Sequence, residues 1–111
     1  MKLNKEILKT RPVFSPEGRL DASNAGLFKS RLNEEITAEK EIVIDLSRLE
    51  FLDSSGIGAL ISIHRKCDKE RGGLKLVCQH DRIRKVLELT RADRLFDIYD
   101  EAEAAAGSFL K

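Results

Sequence analysis

The run Glu41-Ile42-Val43-Ile44-Asp45-Leu46 restricts this chain more than any other stretch. β-branched residues fit an extended, pleated backbone, and near-continuous hydrophobicity suits a strand covered on both faces or central in a sheet. Helical patterns flank it. Before it, Ala25, Leu27, Phe28, Leu32 and Ile36 fall at helical spacing, with Asp21 or Ser23 as an N-cap. After it, Ser47 to Leu52 reads as a loop, and Asp53-Ser54-Ser55-Gly56 opens a helix running to about Arg71. On that helix Ile57, Leu60, Ile61, Ile63 and Cys67 share one broad arc, and Gly72-Gly73 ends it. Leu74 to Cys78 predicts the next strand. Asp81 then caps a short helix carrying Ile83, Val86 and Leu87. Leu95 to Tyr99 predicts a last strand and Glu101 to Leu110 an Ala-rich helix. Strand and helix alternate from Leu20 onward, so the strands should run parallel with helices packed on the sheet.

Upstream, Glu6 to Lys9 and Val13-Phe14 read as short strands, with the turn at Arg11-Pro12 or nearby. Pro16 cannot donate to a ladder, which places it at an edge or a bulge. With 111 residues and no linker-like tract, the expectation is one α/β domain over residues 1–111. Lys and Arg number 20 against 19 Asp and Glu, and aromatics are 5% without Trp. That composition carries neither the basic excess nor the stacking platforms of a nucleic-acid binder. No apolar stretch approaches the ~20 residues of a membrane span, and the first residues resemble no signal peptide, so the cytoplasm is the expected location. Cys67 and Cys78 would remain reduced there.

Catalytic constellations are sparse. The histidines are His64 and His80. Nine helical residues separate Ser55 from His64, roughly 13 Å along the axis and on opposite sides, too far for an activating hydrogen bond. His64-x-x-Cys67 with Cys78-x-His80 has metal-like spacing, but both cysteines fall on apolar faces and read as core filler. Gly56-x-Gly58 has neither the lysine of a phosphate-binding loop nor the third glycine of a dinucleotide motif. Neither a cofactor nor a metal is expected, and the chain reads as no enzyme.

The segment Val43 to Ile61, with Asp53-Ser54-Ser55-Gly56-Ile57-Gly58 between an apolar strand and an amphipathic helix, is more specific. It closely resembles the STAS domain family, specifically the bacterial anti-sigma factor antagonists. Gly18-Arg19-Leu20-Asp21, Gly72 to Val77, Val86 to Thr90 and Leu95-Phe96 extend the resemblance over nearly the whole chain. Pro16 in the second strand, and Arg91 where many relatives place glycine, depart from the pattern. The resemblance implies a mixed four- or five-stranded sheet with an antiparallel first strand and helices mainly on one face. It further implies that the unmodified protein binds an anti-sigma factor, usually a serine kinase of the histidine-kinase-like ATPase fold. Phosphorylation of Ser55 by that kinase would end binding, and a metal-dependent serine phosphatase would restore it. Asp21, Asp53, Ser54, Ser55, Gly56, Ile57 and Gly58 are then the expected partner-binding residues. Ser54 is the alternative acceptor, and Asp21 could serve only as a helix cap. Other readings are a STAS scaffold or transporter-associated regulatory subunit, or a nucleotide-binding protein using the Ser55–Gly58 loop.

The residues themselves fit such a switch. Asp53 or Ser54 can cap the helix, leaving first-turn N–H groups unpartnered within it. The two glycines would leave backbone open to close approach by another protein. A phosphate adds about −1.5 to −2 charge, which the positive end of a helix tolerates while a partner's acidic or apolar surface does not.

Overall fold

The computed structural model describes residues 1–110. Its centre is a six-stranded mixed sheet. Strand β1 (Lys2–Leu8) pairs antiparallel with β2 (Arg11–Leu20). From β2 the sheet continues through β3 (Glu41–Asp45), β5 (Gly73–Val77) and β6 (Asp97–Tyr99), all mutually parallel. A further strand, β4 (Leu49–Leu52), pairs in parallel with the far end of β2. The helices are α1 (Ala25–Ala38), α2 (Ser54–Lys69), α3 (Asp81–Leu89) and α4 (Ala102–Gly107).

Side-chain parity in β3 explains its composition. Ile42 and Ile44 enter the main core with Phe28, Leu32, Leu60, Ile63 and Ile83, whereas Val43 joins a second cluster with Val13, Val77, Ala105 and Ala106. Both faces of the strand are therefore dry, as its unbroken hydrophobicity requires. The faces differ in depth: α1, α2 and α3 cover one, and only the short α4 covers the other. One-sided helix packing and the antiparallel first strand follow expectation; the sheet has one strand more.

That extra strand is β4, expected as loop. It was hidden because its register slips: Gly18 pairs with Leu49 but Arg19 pairs with Phe51. The slip leaves Glu50 and Phe51 both exposed between buried Leu49 and Leu52, so no period-two alternation marks the segment. Gly18, at φ +91°, sits at the irregularity in a conformation that favours glycine. Pro16 lies between the part of β2 that pairs with β3 (Val13, Phe14) and the part that pairs with β4 (Gly18–Leu20). A residue without an N–H is accommodated where the neighbouring strand changes.

Several boundaries move. The hairpin turn is Lys9-Thr10, at φ +46° and +66°, two residues upstream of the expected Arg11-Pro12. Positive φ at both central residues is the two-residue turn that matches strand twist, adopted here without glycine or asparagine. Helix α2 ends at Lys69, and the left-handed residue beyond it is Arg71, not a glycine. Asp81 is the first residue of α3; His80 is its N-cap and accepts no capping hydrogen bond. Leu95 is half exposed and follows a 3-10 turn (Ala92–Arg94), so the last strand starts only at Asp97. Arg91 occupies a left-handed conformation (φ +61°), the geometry that glycine adopts without cost.

Cys67 and Cys78 are free, buried thiols. Desolvation raises the Cys67 pKa to about 11, with the nearby Asp68 charge adding to the effect, and burial likewise pushes Cys78 up. Alkylation of Cys67 at pH 8 should run about two orders of magnitude slower in the folded protein than in denaturant, because only the thiolate reacts. Mass spectrometry of iodoacetamide-treated samples reads this directly. Replacing Lys9-Thr10 with Asn-Gly should stabilise the protein by up to about 1 kcal/mol, since it relieves two left-handed side-chain residues. Urea denaturation midpoints would show the gain.

Candidate functional site

The amino end of α2 is wedged against the ends of β2 and β4. Asp53 caps the helix, its Oδ1 accepting from the Gly56 N–H at 3.0 Å, while its own N–H donates to the Leu20 carbonyl at 3.4 Å. A Cβ on Gly56 would lie 2.6 Å from Leu52 Cδ1 and 2.7 Å from the Leu20 carbonyl oxygen. Glycine at 56 therefore serves internal packing, not the external access expected of it. Ile57 is also buried (6% exposed), so it supports the site from within. Gly58 differs: it is exposed, and nothing lies within 4 Å of where its Cβ would be.

Ser55 is half-buried and lines a shallow cleft of about 200 Å³ between α2 and α1. Gly58 and Ala59 share its wall on α2, and Ala25, Gly26 and Lys29 form the wall on α1. Ser54 is exposed beside it. Neither histidine lines this cleft: His64 packs edge-on against Phe96 at 5.2 Å between ring centres, and His80 Nε2 lies 3.0 Å from the Leu49 carbonyl.

Asp21 caps no helix with its side chain, and neither does Ser23. The carboxylate of Asp21 accepts from the Ser23 hydroxyl at 2.6 Å and the Ser23 N–H at 3.0 Å. The hydroxyl and amide of Ser23, assisted by Arg19, hold that carboxyl below its ordinary pKa. Helix α1 instead begins after Asn24, whose side chain accepts from the Asp21 N–H and donates to the Arg19 carbonyl. Arg19 stacks over the Phe51 ring at 4.0 Å, tying this turn to β4. Asp21 thus stands one residue beyond the Leu20 carbonyl that meets α2, but outside the walls of the cleft.

Lys29 and Gly26 were not legible as site residues. Their membership depends on how α1 packs against α2. Leu27, one of the apolar residues at helical spacing, is 72% exposed and lies outside the cleft, beside Met1 and Leu3.

Residues 2–105 match the family model described as the STAS domain. The chain belongs to the STAS domain family. A Thermotoga maritima protein named, provisionally, an anti-sigma factor antagonist is 30% identical over 95 residues, 84% of this chain and 84% of its own length. A solved Thermotoga maritima structure of the same provisional name gives a TM-score of 0.89 at 27% identity, covering 98% of this chain and 95% of the other. The crystal structure of an anti-sigma factor antagonist from Mycobacterium paratuberculosis gives 0.85 at 27% identity, over 96% and 92%. Among the described residues, no helix of this STAS domain is long and apolar enough to cross a membrane.

The two glycines of the motif should respond oppositely to alanine. Gly56→Ala should cost about 1–3 kcal/mol through overpacking against Leu20 and Leu52. Gly58→Ala, in open space within a helix, should gain roughly 0.5–1 kcal/mol from reduced chain entropy. Asp53→Ala should cost about 1 kcal/mol through the lost cap. Chemical denaturation of the three variants tests all of these signs.

Proposed function

We propose that this STAS domain is an anti-sigma factor antagonist that works by partner switching. Unmodified, it binds an anti-sigma factor that is itself a serine kinase, and so releases a sigma factor. The docking surface comprises the exposed first turn of α2 around Ser54, Ser55 and Gly58, with the adjoining turn at Asp21; Asp53, Gly56 and Ile57 hold that turn rigid from behind. The kinase transfers the γ-phosphoryl group of ATP to Ser55: an Oγ–P bond forms, the bond to the β-phosphate oxygen breaks, ADP leaves and the hydroxyl proton is released. A serine phosphatase reverses the modification by hydrolysis. In this cycle the chain is ligand and substrate, not catalyst, and it acts in the cytoplasm without touching DNA.

The observation that carries this reading is the position of Ser55, half-buried on a capped, rigid helix start yet opening into a solvent-facing cleft. A hydroxyl so placed is reachable by a kinase, and a dianion on it lies in any interface formed there. Names borne by similar proteins of Thermotoga maritima and Mycobacterium paratuberculosis support the same function. A nucleotide-binding use of the Ser55–Gly58 loop is disfavoured by size, because about 200 Å³ falls below the roughly 300–1,000 Å³ of small-molecule sites.

The switch acts through surface charge. A phosphate facing an apolar or acidic partner surface loses hydration without compensation, and about 3–4 kcal/mol of lost binding corresponds to several hundredfold in affinity. Ser55→Ala should therefore bind the kinase partner constitutively, and Ser55→Asp should bind poorly. Titration calorimetry with the partner measures both, and equal affinities would remove the mechanism. Incubation with kinase and ATP followed by peptide mass spectrometry should place the phosphate on Ser55 and not on Ser54.

A further inference from the structure

The cleft that holds Ser55 contains one cationic side chain among its lining residues, Lys29 of α1. It is half-buried, and it has no carboxylate partner among the described residues. Nearby acids are engaged elsewhere: Asp53 accepts from Gly56 N–H, and Asp21 accepts from Ser23 and pairs with Arg19. On the facing wall stands Ser55 itself, in the first turn of α2, followed one turn on by Gly58 and Ala59. The Lys29 cation and the Ser55 hydroxyl thus share one small cleft. A water takes about 30 Å³ of liquid, so a cleft of about 200 Å³ has room for a tetrahedral phosphoryl group.

We infer that Lys29 is the intramolecular receptor for a phosphate carried on Ser55, holding it across the α1–α2 cleft. This rests on the reading of Ser55 as the phosphoacceptor. The pairing gives the switch a second component. Modification adds negative charge to α2 and at the same time neutralises the cation on α1, so a partner meets a surface changed at both walls. The added charge, introduced next to Asp53, acquires a counterion from its own fold.

Phosphorus-31 NMR of protein with phosphoserine installed at position 55 during synthesis tests this without any kinase. A neighbouring ammonium favours the dianion, so the second phosphate ionisation should lie below its ordinary value near 6. Lys29→Gln should raise that midpoint by about half a unit, the size expected for a partly exposed pair. Lys29→Arg should retain the low midpoint, and Lys85→Gln on α3 should leave it unchanged. Coincident midpoints for the unaltered and Lys29→Gln proteins would overturn the inference, as would an equal shift from Lys85→Gln. Partner affinity measured on the same phosphorylated sample decides the switching function separately. Undiminished binding would defeat that function while leaving the Lys29 contact standing.

Discussion

The close approach of Gly56 to the Leu20 carbonyl is the constraint on which the site depends. It sets how far α2 can slide towards the end of β2, and the Asp53 N–H to Leu20 contact fixes the same approach from the neighbouring residue. With a side chain at 56, the helix start would lift away, and the Asp53 cap and the Ser55 cleft would move with it. The position of one serine is thereby decided by the backbone packing of the residue that follows it. Loops that bind partners are ordinarily mobile; here the exposed residues borrow the rigidity of the sheet.

Legibility in the sequence followed the strength of local physical signals. The β3 run and the amphipathic α2 were readable because burial on both faces, or on one broad arc, leaves an unmistakable residue pattern. Strand β4 was not, since a register slip destroys alternation and its identity lies in its partner, β2. The hairpin turn could be placed only near Arg11-Pro12, because Lys9 and Thr10 adopt a backbone usually announced by glycine or asparagine. At the site, the place of Ser55 in the first turn followed from the motif at a strand-to-helix junction, and of the two caps it allowed, Asp53 and Ser54, the structure uses Asp53. The roles of the two glycines were not separable, because one faces Leu20 and the other faces solvent, a distinction only tertiary packing makes.

Electrostatics at this end of the molecule are organised by short hydrogen bonds more than by ion pairs. Asp21 and Asp53 bring two negative charges close to the start of α2, yet each is committed to groups of its own turn. Their lone pairs stabilise backbone, which limits what they offer to an incoming protein. Lys29 has no such commitment among the described residues. Phe51 and Arg19 stand on the flank, the guanidinium carbon 4.0 Å from the ring centre. Leu27 projects from a different side of α1, beside Met1 and Leu3, away from this polar centre.

The unequal clothing of the sheet has a dynamic consequence. On one side three helices bury a deep core; on the other, six residues of α4 press alanines onto Val13, Val43 and Val77. Such a thin cover can detach and re-seat while the thick layer stays intact, a sub-global opening of low cost. An opening on that side would lie opposite the helices that carry Ser55 and would leave the α1–α2 cleft intact.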